Sequence, residues 1–383
     1  MGEAAPTTDV KSRIPVTLVT GFLGSGKTTL INAALRSPGL SKTVVVVNEF
    51  GEVGLDHKLF ARSSDTVVVL ENGCLCCTVR SDLVGTLNSL YHARAAGEIP
   101  DFDNVVIETS GLADPGPVLQ AFLSEPTLDG LFRVASVLTL VDAVNWEGTA
   151  QDHDEAVRQV ALADQIRITK ADLLPEPRGE RLDALKRDLA RINPAARIEL
   201  NDSAPAAVAL LLTSPGFDAA DPSADPRPWL KVDAYACDDH RHHNHDHAHD
   251  DHAHGWRERG IESFVLTRES PMSREELQFL LDGVSQNLGR GLLRVKGLVN
   301  VAEEPGRPAV IQGAQHLLHT MTWLDRWPDA DQRTRVVFIT QGIARDNLKD
   351  IIDLLDRVSA RTFKARAKGR KAMAAAKGPD SAP

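Results

Sequence analysis

The sequence predicts an α/β protein with a doubly wound, mostly parallel sheet, followed by a smaller α+β domain with a mostly antiparallel sheet. Short β-branched runs alternate with helix-length segments from residue 14 to residue 212, which is typical of parallel βαβ units. Several runs, such as residues 44–47, are apolar throughout, as strands covered on both faces should be. Beyond residue 260 strand-like runs outnumber helical ones and the connections are short, which favours an antiparallel sheet.

The strands of the predicted parallel sheet follow from these runs in chain order. They are expected at residues 15–20, 43–47, 66–70, 104–107, 134–141, 165–168 and 197–200. Because crossovers between parallel strands are right-handed, we expect helices on both sides of this sheet.

The rest of the chain divides by composition. Residues 1–13 are expected to be disordered, and residues 14–212 to form the first domain. Residues 213–260 shift to Pro, Asp, Ala and His, which predicts a linker without helix or strand. In the second domain, residues 261–358, Ser273 and Glu276 form a capping box before a helix through Asp282, and a final helix spans residues 344–358. The basic tail, residues 359–383, is expected to be disordered.

The charge balance limits the classes of partner. The 383 residues include 43 basic and 53 acidic side chains, which gives a net charge of −10. This balance argues against a specific nucleic acid or an anionic membrane as the main partner. The N-terminus lacks a basic region followed by an apolar one, and no apolar run approaches the roughly 18 residues of a membrane span. The sequence therefore predicts a cytoplasmic protein.

A glycine-rich loop follows the first predicted strand. Residues 21–28 read GFLGSGKT and fit the phosphate-binding loop pattern, with an amphipathic segment after them. Backbone N–H groups of such a loop surround phosphates, and the following helix directs its positive end at them. We expect Lys27 to reach the β- and γ-phosphates as a catalytic residue, and the Thr28 hydroxyl to ligate Mg²⁺. Further phosphate contacts are expected from Gly21, Gly24, Ser25 and Gly26.

A carboxylate at the end of a neighbouring strand should complete the Mg²⁺ side of this site. The run VVIE at residues 105–108 supplies Glu108, which we expect to act as a catalytic residue and Mg²⁺ ligand. Gly111, three residues later, is placed to offer its N–H to the γ-phosphate.

The tetrapeptide Thr169, Lys170, Ala171 and Asp172 follows the strand at 165–168 and is expected to bind the base. A carboxylate at Asp172 accepts hydrogen bonds from both N1–H and the 2-amino group of guanine, whereas adenine has no donor at N1. This predicts GTP rather than ATP. The tetrapeptide resembles the Asn-Lys-x-Asp motif of GTPases, but Thr169 replaces the Asn that usually also braces the phosphate loop.

Cysteines Cys74, Cys76 and Cys77 lie between the strand at 66–70 and a helical pattern that runs to about Ala96. A helix N-terminus stabilises thiolates, which favour soft or borderline metals such as Zn²⁺ or Cu⁺. Neighbouring helical residues point about 100° apart, so binding by all three thiolates requires a loop that is non-helical at its start. Cys237 is alone and distant in sequence, so a closed site with four cysteines is not expected.

These groups should share one rim, because ligands bind at the carboxyl ends of the strands in an open α/β sheet. Glu49 follows the strand at 43–47 within NEFGEVGLD. It is placed to contact Mg²⁺, the thiolate-bound metal, or each in a different nucleotide state. Such a position would link hydrolysis to metal release.

A histidine tract at residues 238–254 is a separate feature. Imidazoles at this spacing bind several divalent metal ions weakly, which predicts a low-affinity store. Its ligands would be His240, His242, His243, His245, His247, His249, His252 and His254.

In chain order, the runs GFLGSGKTTL, NEFGEVGLD, ENGCLCC, ETSGLADP and TKAD together resemble the CobW family of GTPases. The resemblance covers nearly the whole chain, including an RVKG run at residues 294–297. It implies a GTPase metallochaperone that holds Zn²⁺ or Co²⁺ at Cys74, Cys76 and Cys77 and passes it to a client apo-metalloprotein. It also implies that residues 24–29, Thr29 included, bind phosphates. The family is related to the GTPases of hydrogenase and urease maturation.

The sequence supports three hypotheses of function. The first is a zinc-loading GTPase with a slow intrinsic rate, because no glutamine or arginine is clearly placed to act on the attacking water. The second is a cobalt-handling protein for cobalamin biosynthesis or nitrile hydratase maturation. The third is a metal buffer without nucleotide control. A further candidate partner is a second copy of this chain, in a homo-oligomer.

Overall fold

A computed structural model describes residues 13–48, 67–70, 75–201, 204–214, 216–218, 225–231, 260–315, 317–318, 321–355 and 357–358. For residues 48, 67–70, 75–81 and 317–318 it describes the backbone alone. The predictions for residues 1–13, the histidine tract and the basic tail concern parts of the chain outside these ranges, apart from Arg13, which bonds to Asp218 at 3.0 Å.

The N-terminal sheet contains seven parallel strands in the order β3-β2-β4-β1-β5-β6-β7. Their bounds are β1 Ile14–Gly21, β2 Thr43–Asn48, β3 Val67–Leu70, β4 Asn104–Glu108, β5 Phe132–Asp142, β6 Gln165–Thr169 and β7 Arg197–Leu200. All seven predicted strands are present, and the predicted doubly wound parallel sheet is confirmed.

Helices cover both faces of this sheet. Within β2, Val44 and Val46 face one hydrophobic cluster, whereas Val45 and Val47 face another. This alternation is the period of two that a strand imposes, and it explains why the run is apolar throughout. The helices are α1 Lys27–Leu35, α2 Leu75–Ala96, α3 Gly116–Ser124, α4 Pro126–Leu131, α5 Trp146–Asp152, α6 Asp154–Leu162, α7 Arg178–Ile192 and α8 Pro205–Leu212. Among the described helices, none is long and apolar enough to cross a membrane.

The strand order brings the loops of the site together. Strand β1 lies between β4 and β5, with Val19 in register with both Glu108 and Leu138. Segments that are far apart in sequence, at residues 21, 108 and 142, therefore meet at the carboxyl ends of β1, β4 and β5.

The C-terminal sheet is antiparallel, as predicted. Its order is β11-β10-β9-β13-β8, and β12 pairs with β10. The strands are β8 Ile261–Arg268, β9 Leu292–Val299, β10 Ala309–Ala314, β11 Leu317–Leu318, β12 Thr322–Trp323 and β13 Thr334–Gln341. The chain then enters a helix at residues 345–355, close to the predicted start.

The helix after Ser273, Arg274–Leu288, begins with the predicted capping box. The Ser273 backbone N–H donates to Glu276 Oε2 at 2.8 Å, and the Glu276 N–H donates to Ser273 Oγ at 3.2 Å. The predicted end at Asp282 is wrong. The helix continues because Val284 and Leu288 extend its buried face.

The prediction that residues 213–260 contain no helix is also wrong. Arg227–Leu230 forms a one-turn helix, and the rings of Phe217 and Trp229 pack 4.7 Å apart. Leu230 is buried in a cluster with Leu298 of the C-terminal sheet. Apolar side chains of this proline-rich segment thus pack against the second domain.

A buried group of charges joins the two sheets. Asp164, just before β6, accepts hydrogen bonds from Arg294 at 2.8 Å and from Lys296 at 2.5 Å, both on β9. Burial alone would raise the pKa of Asp164, but the Arg294 and Lys296 cations lower it to about 2. Burial, followed by repulsion from Arg294, lowers the pKa of Lys296 to about 8. We call this group the interdomain charge cluster.

Candidate functional site

The loop between β1 and α1 has the geometry of a phosphate cradle. Gly24 and Gly26 have φ angles of 72° and 97°, a region that suits glycine because it lacks Cβ. Helix α1 begins at Lys27, so its N-terminal N–H groups point into the loop. The Lys27 ammonium lies beneath the loop and donates to the carbonyl of Gly21 at 2.8 Å and of Phe22 at 3.2 Å.

Thr28 and Glu108 meet at the edge of this loop. The Thr28 hydroxyl donates to Glu108 Oε1 at 2.9 Å, and Glu108 is only 5% exposed. A hydroxyl and a carboxylate oxygen side by side are the ligands that Mg²⁺ prefers. The structure therefore brings together Thr28 and Glu108, two of the residues that the sequence predicts as Mg²⁺ ligands.

Thr169, in the predicted base-binding motif, contacts the phosphate loop. Its hydroxyl donates to the carbonyl of Ser25 at 2.8 Å, and the side chain is buried. Threonine thus supplies the brace on the phosphate loop that Asn usually provides in this motif. Asp172 lies in the 3-10 turn Ala171–Leu173 and is exposed at the same rim.

Asp142, at the end of β5, contacts the base-binding motif and was not indicated by the sequence patterns. Its carboxylate accepts from Lys170 Nζ at 2.6 Å and from the N–H of Val144 at 2.9 Å. Burial raises the pKa of Asp142, but hydrogen bonds from Lys170, Asn145 and Val144 outweigh it and lower the pKa overall. The sequence contained one signal for Asp142, which is an acidic residue at the end of an apolar strand. Because β5 ends at the same rim as β1 and β4, a residue there is expected near the site.

Gln159 on α6 is a second residue that the sequence patterns missed. It is 1% exposed, and its amide donates to the carbonyls of Gly111 at 3.2 Å and Ala113 at 3.0 Å. These contacts fix the loop after Glu108. Because the partners are 46 and 48 residues away in sequence, no local pattern could reveal them.

The predicted cargo-metal residues are described only in part. Glu49, Cys74 and the histidine tract lie outside the described ranges, and Cys76 and Cys77 are described by backbone alone. That backbone is helical from Leu75, so the non-helical start expected for a three-thiolate site is not present at residues 75–77. Among the side chains that the structure describes, no three His, Cys, Asp or Glu residues form a group that could hold a metal.

The phosphate loop with Lys27, the pair of Thr28 and Glu108, and the braced motif at residues 169–172 lie on one rim of a parallel sheet. Together they define a P-loop GTPase.

Comparison with known proteins identifies its family. Residues 15–199 match the model described as CobW/HypB/UreG, nucleotide-binding domain. Residues 261–355 match the model described as Cobalamin synthesis protein cobW C-terminal domain. The chain is 32% identical over 336 residues to the zinc chaperone YjiA of Escherichia coli (strain K12), covering 88% of this chain and 96% of that protein. The chain therefore belongs to the CobW family of GTPases.

Two further comparisons agree with this assignment. The chain is 29% identical over 330 residues to the zinc-regulated GTPase metalloprotein activator 1 of Dictyostelium discoideum, covering 76% of this chain and 64% of that protein. The crystal structure of Zn(II)-bound YjiA GTPase from E. coli aligns with a TM-score of 0.61 at 26% identity, covering 90% of this chain and 99% of that chain. Homologues of this chain are thus metal-handling GTPases.

Proposed function

We propose that this GTPase is a zinc metallochaperone, which binds Zn²⁺ at Cys74, Cys76 and Cys77 and transfers it to a client apo-metalloprotein. The observation that carries the proposal is that β3, which ends at Leu70 on the rim of the nucleotide site, is followed by α2, whose first turn contains Cys76 and Cys77. The names of the zinc chaperone and zinc-regulated relatives support zinc as the cargo.

Strand spacing supports communication between the two sites. Strands β3, β2 and β4 are consecutive neighbours, and neighbouring strands lie about 4.8 Å apart, so the ends of β3 and β4 are roughly 10 Å apart. Glu49 follows β2 directly in sequence. We assign it to Mg²⁺ or to the cargo metal, according to the nucleotide state.

The roles at the nucleotide site are part of the same proposal. The phosphates bind the loop from Gly21 through Gly24, Ser25 and Gly26 to Lys27, Thr28 and Thr29. Mg²⁺ binds Thr28 and Glu108, whose oxygens already face each other. The guanine base binds Asp172, Thr169 and Lys170, with Thr169 bonded to the Ser25 carbonyl and Lys170 to the Asp142 carboxylate.

The helical backbone at residues 75–77 gives the zinc site a structural requirement. Adjacent helical positions diverge by about 100°, so three thiolates can share one Zn²⁺ only if the first turn of α2 unwinds. Zinc loading would then shorten α2 beside the nucleotide site. A reducing compartment such as the cytoplasm suits this chemistry, since it keeps free thiols reduced.

Cobalt as the cargo is the alternative that the cobalamin-linked branch of the family favours. We prefer zinc because thiolates bind it well and its affinity for nitrogen and sulfur ligands exceeds that of Co²⁺. The histidine tract, residues 238–254, would supply low-affinity ligands on a segment between the proposed domains at 14–212 and 261–358. It has no direct link to hydrolysis.

Steady-state GTP hydrolysis with and without Zn²⁺ tests this proposal. We expect zinc to change the rate of GTP hydrolysis in the unmodified chain, because a metal that favours one state of the protein shifts its population toward that state. A variant with Cys74, Cys76 and Cys77 all replaced by serine should lose this response. Deletion of residues 238–254 is the matched control, because it removes metal ligands and should leave the response intact. A rate indifferent to zinc in all three proteins would contradict the proposal.

A further inference from the structure

The loop that follows Glu108 touches the phosphate loop directly. At Gly111 there is no room for a side chain, because a Cβ there would lie 2.7 Å from the backbone nitrogen of Leu23. Gln159 holds the carbonyls of Gly111 and Ala113 from the other side. We call residues 110–115 the sensor loop. Because this loop contacts the phosphate loop, its position determines which groups lie next to the phosphate loop.

Asp114 anchors the sensor loop to the rest of the molecule. Its Oδ1 accepts from the N–H of Gly116 at 2.8 Å, at the start of α3. Its Oδ2 accepts from Arg158 Nη1 at 3.2 Å and from the amide of Gln315 at 3.1 Å. Gln315 belongs to the C-terminal domain, so this carboxylate joins the nucleotide site to the second sheet.

Gln315 is held tightly in this position. Its side-chain oxygen accepts from Gln120 Nε2 on α3 at 2.5 Å, and its backbone N–H donates to the carbonyl of Leu293 at 3.1 Å. It adopts a φ of 53°, an uncommon conformation for a residue other than glycine. Its amide fills the space that a Cβ on Gly116 would need.

A second link follows the same route. Arg158, which contacts Asp114, also donates through Nε to Gln341 Oε1 at 2.7 Å. Gln341 ends β13, a central strand of the C-terminal sheet. Two glutamines from the second domain thus reach the sensor loop, one directly and one through Arg158.

We propose that Gln315 is a positioning residue for GTP hydrolysis, supplied by the C-terminal domain and acting on the sensor loop through Asp114. The loop must hold its N–H groups in place when charge develops on the transferred phosphoryl group, and donors fixed in advance stabilise that charge best. A hydrogen bond from a rigid sheet limits the loop to one arrangement. This inference concerns the GTP site alone and does not depend on zinc or on transfer to a client.

The variant Gln315→Met tests it in metal-free protein, because methionine has a similar length and cannot form either side-chain hydrogen bond. We expect kcat for GTP to fall about three- to tenfold, as for loss of a bond that orders the reacting state. KM should stay within about twofold, because the phosphate loop and the base motif are untouched. Gln341→Met should have a smaller effect in the same direction.

The matched control is Gln278→Met, at an exposed glutamine of the same domain that donates to Asp282 on its own helix at 2.8 Å. It should change neither kcat nor KM. An unchanged kcat in Gln315→Met, or a fall that Gln278→Met reproduces, would overturn the proposal.

Hydrogen exchange in the unmodified chain provides a readout that does not depend on any variant folding. The peptide spanning residues 309–315 should exchange at different rates with a non-hydrolysable GTP analogue and with GDP, because coupling between sites is reciprocal. Equal exchange in both states would overturn the proposal, even if Gln315→Met lost activity through misfolding.

Discussion

Replacing Lys27 with alanine is expected to lower kcat/KM for GTP about 100-fold or more, the usual cost of removing a charged group aimed at the transition state. The Lys27 ammonium already lies within the loop, bonded to the carbonyls of Gly21 and Phe22. Bound phosphates would meet a positive charge that already lies within the loop. Hydrolysis measured by phosphate release checks the result.

Two comparisons make the Lys27→Ala result specific. Lys42→Ala, at an exposed lysine just before β2, should leave hydrolysis unchanged. Zinc stoichiometry should be the same in both variants, because neither touches a proposed zinc ligand. If Lys27→Ala released zinc to a chelator just as the unmodified chain does with GTP, the protein would be a metal buffer rather than a chaperone under nucleotide control.

Neutralising Asp164 is expected to produce the largest loss of stability. Asp164→Asn removes the anion that Arg294 and Lys296 share. The loss is costly because these two cationic side chains are only 14% and 10% exposed. Breaking a buried ion pair typically costs 3–5 kcal/mol, and we expect about 3 kcal/mol here because the cluster is partly hydrated. Urea unfolding can be followed by tryptophan fluorescence, to which Trp229 contributes with its ring 5.1 Å from Lys296 Nζ.

A triple variant separates charge from packing at the interdomain charge cluster. Replacing Arg294 and Lys296 with methionine in the Asp164→Asn background should recover most of the lost stability, since the uncompensated cations are gone. Asp225→Asn, at an exposed pair with Arg227, is the control and should have little effect. A stability loss that the triple variant does not relieve would contradict this electrostatic account.

The same cluster predicts how stability depends on pH. The pKa of Asp164 is held at about 2, below its ordinary value of 3.8. A lowered carboxyl pKa contributes stability that is present above the ordinary value and is lost as the pH falls through the folded value. The difference in unfolding free energy between the unmodified chain and Asp164→Asn should therefore shrink from about pH 4 to pH 2.

Local patterns predicted most of the fold, and their failures have physical reasons. Continuous apolar runs such as residues 44–47 located strands whose side chains are buried on both faces of the sheet, and all seven predicted parallel strands are present. The capping box at Ser273 located a helix start, but its end depended on whether Val284 and Leu288 found a core to pack against. The one-turn helix Arg227–Leu230 was not predicted, because it lies in a proline-rich segment without a helical pattern.

The candidate site shows the same division. The glycine spacing and Lys27 identify the phosphate loop, because backbone conformation there demands particular residues locally. The hydrogen bond from Thr169 to Ser25 spans 144 residues, and the one from Gln315 to Asp114 spans 201. Contacts of this length arise from strand order and domain packing, so residue type at either end carries no local signal.

The zinc affinity of the chain in its two nucleotide states tests the central claim most directly. A competition titration with a chromophoric chelator should give affinities that differ about tenfold or more between the GTP-analogue and GDP forms, within the usual range of coupling between sites. The serine variant of Cys74, Cys76 and Cys77 should bind zinc weakly in both. Tight binding that is equal in the two nucleotide states would contradict nucleotide-controlled zinc delivery.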